Sequence, residues 1–135
     1  MSDDVLAGVD KLPAIAQHII GSYYSKNAGP LLDVLSDDCV FIAETGAIFF
    51  SPAELRAAVE AKTNSPAMMV RETDFHLMGS EIGTSAIKGA VVMGSYKLYS
   101  SPREQMLFAS SQVITVCFRR IETEWKAFHI HVSNK

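Results

Sequence analysis

The sequence predicts an α+β domain on three observations: helical apolar spacing confined to the first half, strand-type runs crowding the second, and a size suited to one core. The chain has 135 residues, 48% hydrophobic and 20% charged. That is the composition of a compact globular unit, not of a disordered or collagen-like polymer. At this length folding buries roughly two thirds of the unfolded chain's surface, so a core forms without disulfide or metal staples. We read residues 1–135 as a single domain, with residues 1–10 as a loose N-terminal arm.

From Asp10 onward, Leu12, Ile15, Ala16, Ile19, Ile20 and Tyr23 follow helical spacing. Asp10 is placed to cap this first helix and Pro13 falls in its tolerant first turn. The helix is expected to stop near Asn27, with Gly29 as a left-handed cap and Pro30 starting a short helix through Leu31, Leu32, Val34 and Leu35. Ser36, Asp37 and Asp38 turn the chain into a strand from Cys39 to Ala43, and Gly46 separates it from Ala47 to Phe50, a small hairpin. Ser51, Pro52, Ala53, Glu54 has capping-box order, so a third helix follows that buries Leu55, Ala58 and Val59. It stops in Thr63, Asn64, Ser65, Pro66.

The second half is rich in Val, Ile, Phe and Tyr, with short Gly, Ser and Pro interruptions. Strands are expected over Met68 to Met78, Thr84 to Tyr99, Met106 to Arg119 and Glu124 to Ser133, all neighbours antiparallel. The connections are Gly79 to Gly83, Ser100 to Glu104 and Ile121 to Thr123. Gly89 and Gly94 inside the longest strand suggest bulges that curl the sheet into a half-barrel, with the first helix as its lid.

Composition narrows the partners. Lys and Arg number 12 against 15 Asp and Glu, a net charge of -3. No basic run marks a patch, so no nucleic acid partner is expected. Asp3, Asp4 and Asp10 replace the basic start of a secretory signal, and no window holds the roughly 18 apolar residues of a membrane span. The expected location is cytoplasmic, without a membrane partner. Cys39 and Cys117 lack C-x-x-C spacing and sit in apolar runs, so they are expected as buried reduced thiols.

The chain ends in Trp125, Lys126, Ala127, Phe128, His129, Ile130, His131, Val132, Ser133. This run resembles the W-x-x-x-H-x-H-x-S strand of SnoaL-like proteins and of the calcium/calmodulin-dependent protein kinase II association domain. His76, Leu77, Met78, Gly79 is similar to an upstream stretch of that association domain. Together with helices-then-sheet order, the resemblance implies a cone-shaped nuclear-transport-factor-2-like (cystatin-like) fold: N-terminal helices packed on a strongly curved antiparallel sheet around a cavity. The association domain has an arginine directly after its H-x-H, feeding a basic cavity, where this chain has Val132. The resemblance therefore implies a greasier pocket here.

On strict alternation, His129 and His131 share a face with Trp125 and Ala127, while Phe128, Ile130 and Val132 face the other way. A His-x-His pair with His76 as third ligand would make an open metal site. No carboxylate visibly completes it, and the resembling families use this face for packing and subunit contact. We therefore expect no metal and no cofactor, and place Trp125, His129 and His131 at a homodimer interface. The ligand-binding set is Tyr23, Phe41, His76, Tyr96, Gln112, Val116, Phe128, Ile130 and Val132, with His76, Tyr96 and Gln112 orienting a small apolar or amphipathic molecule.

Two alternatives stand beside this reading. One is a cofactor-independent isomerase, cyclase or dehydratase, for which Asp74, Glu72 and Glu44 are unplaced candidate bases and Tyr23, Tyr24 and Tyr96 candidate donors. The other is an oligomerisation module with a vestigial cavity.

Overall fold

A computed structural model of the chain describes residues 9–25, 27–61, 68–82, 88–100, 107–121 and 124–135. The expected loose arm over 1–10 lies outside the described residues as far as residue 8, but Val9 and Asp10 belong to a 3-10 turn with Val9 buried, so the arm is not loose there. The helix stop at Thr63 to Pro66 lies outside. Of the expected connections, Gly79 to Ile82 continues a strand, Ser100 and Ile121 end strands, and Gly83, 101–104 and 122–123 lie outside the described residues.

A 3-10 turn, Val9–Lys11, leads into helix α1, Leu12–Tyr24. Asp10 is not its cap. The turn consumes Asp10, Lys11 stands at the N-cap without a capping side chain, and Pro13 opens the helix with its pre-set φ. Leu12, Ala16, Ile19, Ile20 and Tyr23 line the buried face of α1, at the spacing the sequence predicts.

Helix α2, Ala28–Leu32, includes Gly29 within it, so Gly29 is not a left-handed cap. The exit from α1 is closed instead by the Ser25 amide on the Gly21 carbonyl at 3.0 Å and the Asn27 amide on the Ser22 carbonyl at 3.1 Å.

Strand β1, Leu35–Ile42, turns through Gly46 (φ 90°) into the short β2, Ile48–Phe49. A left-handed residue in this hairpin loop is what glycine supplies without strain. Helix α3, Pro52–Ala61, begins with the expected box in altered form. The Glu54 amide donates to Ser51 Oγ at 3.2 Å, while Glu54 Oε1 accepts from the Phe50 amide at 3.2 Å rather than from Ser51. Leu55 and Val59 are buried and Ala58 is half-buried.

Strands β3, Met68–Ile82, β4, Lys88–Ser100, β5, Leu107–Ile121, and β6, Glu124–Asn134, complete a six-stranded sheet in the order β2-β1-β6-β5-β4-β3. It is a mixed sheet, because β1 pairs parallel with β6 while every other pair is antiparallel. The four strands of the second half pair antiparallel as expected, and the expectation of a wholly antiparallel sheet is corrected at β1. Long intervening chain permits a parallel pairing, and nothing local in β1 names its partner. The described sheet is open, ending at β2 and β3.

Gly94 carries no bulge, while Gly89 lies opposite one. Toward β5 the register of β4 runs unbroken through Gly89 and Gly94. Toward β3 it shifts at Arg71/Asp74, Leu77/Gly79 and Ser80/Ile82, the last opposite Ala90 and Gly89, and further irregularities lie between Leu98 and Tyr99 and at Phe128 in β6. Gly94 serves a different need. A Cβ there would sit 2.7 Å from the Phe75 ring, so Phe75 packs over bare backbone. At the first β3 bulge Glu72 adopts φ 51°, a conformation that costs a non-glycine residue about 1–3 kcal/mol. Its carboxylate accepts from Tyr99 Oη at 2.9 Å and Lys97 Nζ at 3.3 Å on β4, which holds the bulge in place.

Candidate ligand site

The inner sheet face and α1 enclose the core. Tyr23 on α1 stacks on Phe41 of β1, ring centroids 4.8 Å apart. Val116 and Ile130 are cross-strand partners on β5 and β6, and Ile114 pairs with Val132 one step along. Tyr96 on β4 pairs directly with Gln112 on β5. All these side chains are between 0% and 3% exposed, so they are packed against protein and closed to water in this form. Of the expected ligand-binding set, the structure thus brings together Tyr23, Phe41, Tyr96, Gln112, Val116, Ile130 and Val132 on one interior surface.

Polar atoms are few in this core and they cluster. The Tyr24 and Tyr96 hydroxyls lie 3.0 Å apart, joining α1 to β4, and Tyr24 Oη donates to Glu44 Oε2 at 3.2 Å. Glu44 is half-buried just beyond the end of β1, so the chain of hydrogen bonds runs from the rim into the core. Burial pushes both phenols well above their ordinary pKa, with the neighbouring Tyr96 adding to the effect at Tyr24, so both hydroxyls stay protonated. Beside Tyr96, Gln112 Nε2 donates to Ser110 Oγ at 2.7 Å and to Asn134 Oδ1 at 2.9 Å. Gln112 Oε1 is buried with no hydrogen-bond partner among the described residues. A buried acceptor left so costs about 1–3 kcal/mol and asks for an explanation.

Three expected site residues lie elsewhere, and two bulges explain all three. The extra residue in β3 near Glu72 reverses the alternation, so Phe75 and Leu77 pack against the core while His76 faces out. Its Nε2 lies 2.6 Å from Asp74 Oδ1, both side chains about two-thirds exposed at 66% and 69%. In β6 the extra residue is Phe128, which turns outward beneath the Arg119 guanidinium at 5.1 Å from its ring centroid. Before that bulge Trp125 shares the inner side with Ala127 and packs against the core, so it does not join His129 and His131.

His129 is half-buried and His131 exposed, on the outer face with Val40, Ile42, Cys117 and Thr115 as register partners. Phe128 and Arg119 there border an open pocket of about 350 Å³, with Gly89, Ala90, Val91, Cys117 and Phe118 as its other walls. Arg119 also bonds Asp38, which holds that carboxyl below its usual range.

Among the described residues no three His, Cys, Asp or Glu side chains converge to hold a metal ion. Asp74 and Glu72 are exposed, away from the core. Cys39 is buried and Cys117 half-buried, both free, and burial pushes the Cys39 thiol up to about 12. One residue of the interior site escaped the sequence reading, Phe75, whose signal was a glycine, Gly94, in the neighbouring strand. Tyr24, one position past Tyr23 on α1, and Glu44 entered it only as a candidate donor and base of the enzyme alternative.

This element order and sheet define a class: the chain has the nuclear-transport-factor-2-like, cystatin-like α+β fold. It is similar to an NTF2-like protein with a cystatin-like fold from Novosphingobium aromaticivorans (TM-score 0.72, 12% identity, covering 96% of this chain and 83% of that one). It is similar too to Aln2 from a Streptomyces species (TM-score 0.73, 8% identity, 92% and 88% covered). A putative calcium/calmodulin-dependent protein kinase II association domain from Xanthomonas campestris gives a TM-score of 0.65 at 14% identity, with 93% and 86% covered. No family model and no curated protein matches the sequence. At these identities the likeness concerns the fold. No helix among the described residues is long and apolar enough to cross a membrane.

Proposed function

We propose that this chain is a small-molecule-binding domain of the SnoaL-like type, a cytoplasmic homodimer that holds an apolar or amphipathic molecule between α1 and a curved sheet. The observation that carries this reading is the polar cluster in an apolar core. A core needing only to pack would fill with hydrocarbon, whereas here two phenols and a carboxylate join at Tyr24, Tyr96 and Glu44, and Gln112, the register partner of Tyr96, carries an unpartnered buried amide oxygen. The ligand would enter along edge strand β3, where half-buried Phe75 lies parallel to Tyr96 (13°, centroids 6.4 Å apart) and shields it.

The outer face supports self-association. Met78, Met93 and Val113 are exposed there at 60%, 46% and 37%, a concentration of apolar surface unusual on a solvated sheet. Bringing two such faces together buries it, with His129 and His131 alongside.

Native mass spectrometry of the freshly purified protein tests both parts. The expected result is a dimer carrying extra mass that is lost on denaturation, with Val116→Trp, which adds bulk where the ligand would lie, abolishing the extra mass while circular dichroism shows the fold retained. Met93→Asp should shift the dimer to monomer. An empty monomer would overturn the proposal, and an empty higher oligomer would favour an assembly module.

A further inference from the structure

The interior cluster has a direction, and that direction selects a ligand class; the argument rests on the small-molecule reading above. A carboxylate only accepts hydrogen bonds, and each tyrosine has one proton to give. Tyr24 gives its proton to Glu44 Oε2 at 3.2 Å. At the 3.0 Å contact between the phenols, Tyr24 must therefore accept and Tyr96 donate. The Tyr96 proton is thereby committed, and its oxygen keeps only lone pairs. Gln112, the direct register partner of Tyr96, has both amide protons committed to Ser110 Oγ and Asn134 Oδ1, leaving its buried Oε1 as a second open acceptor.

We infer that the interior site recognises its ligand through acceptor atoms, Gln112 Oε1 and the Tyr96 oxygen, and so takes an alcohol, phenol or amine on an apolar body while rejecting carboxylates. A bound donor satisfies the Gln112 oxygen that otherwise stays unpaired. A bound carboxylate would set its lone pairs against those of Gln112 and Tyr96, and neither the Tyr24 nor the Tyr96 proton is free to meet it. The same commitment of protons leaves Tyr24 and Tyr96 unable to act as donors to an oxyanion while Glu44 is a carboxylate.

The test uses three probes of one shape: 2-naphthol, 2-methoxynaphthalene and 2-naphthoate, titrated calorimetrically into the full chain. The expected result is 2-naphthol binding roughly tenfold more tightly than either of the others, the effect of one hydrogen bond to a desolvated acceptor. Gln112→Leu should reduce that preference to within about twofold while 2-methoxynaphthalene still binds. Tyr96→Phe, which keeps the Gln112 contacts, provides a second reading should Gln112→Leu not fold. If 2-naphthoate equals or exceeds 2-naphthol and Val116→Trp abolishes both, the interior site stands but the acceptor assignment is overturned. If no probe binds, or Val116→Trp leaves binding unchanged, the interior small-molecule reading falls and the assignment with it.

Discussion

Tyr24 and Tyr96 stand 72 positions apart in sequence, yet their hydroxyls meet at 3.0 Å in the core, tying helix α1 to strand β4. Their roles in that bond differ, and the difference is measurable. Tyr24→Phe removes the acceptor for the buried Tyr96 proton, which should cost about 1–3 kcal/mol in a urea melt. Tyr96→Phe leaves Tyr24 bonded to Glu44, so the expected cost is about 0.5–1.5 kcal/mol. The double variant should lose less than the sum of the two. Equal, additive losses would mean the bond does not run in the stated direction.

Gly94 and Phe75 form a second pair. A Cβ at Gly94 would lie 2.7 Å from two atoms of the Phe75 ring, so Gly94→Ala is expected to lower stability by about 1–3 kcal/mol. Placed in a Phe75→Leu background, the same change should cost markedly less. A thermal melt in which Gly94→Ala is neutral would show that the ring is free to move aside.

Gly21 is the opposite case. It lies within α1, and a Cβ there meets nothing within 4 Å. Gly21→Ala should stabilise the protein by about 0.5–1 kcal/mol, because alanine gives up less backbone entropy in a helix. A loss of stability in the urea melt would contradict the open space at that position.

Thiol chemistry should report the burial of Cys39. With its pKa pushed up to about 12, almost no thiolate exists at pH 8, so iodoacetamide should leave Cys39 unlabelled in the native protein. Unfolding in urea returns the thiol to its ordinary range and should make labelling fast. Burial raises Cys117 also, but that thiol is half-buried on the outer face, so it should label slowly in the native state and ahead of Cys39. Peptide mapping that finds Cys39 modified first would sink this ordering.

His76 faces solvent beside Asp74, so His76→Ala should change stability by no more than about 0.5 kcal/mol. A loss of several kcal/mol in a denaturant titration would place the side chain in the core and reverse the face assigned to β3.

Much of this architecture was legible from residue order. Apolar spacing in Leu12, Ala16, Ile19, Ile20 and Tyr23 identified the buried face of α1, because helix periodicity is a local property. Ser51 and Glu54 marked the start of α3 for the same reason, and Tyr96, Gln112, Val116, Ile130 and Val132 fell inside because their stretches of strand keep strict alternation. What residue order left open was anything that one inserted residue reverses. The bulges near Glu72 and at Phe128 each add a residue to one strand, and every side chain on the far side changes face. That is why His76 and Phe128 turn outward and Trp125 turns in. The parallel pairing of β1 with β6, and the meeting of Tyr24, Tyr96 and Glu44, were likewise decided only by the tertiary structure, since each depends on packing between segments distant in sequence.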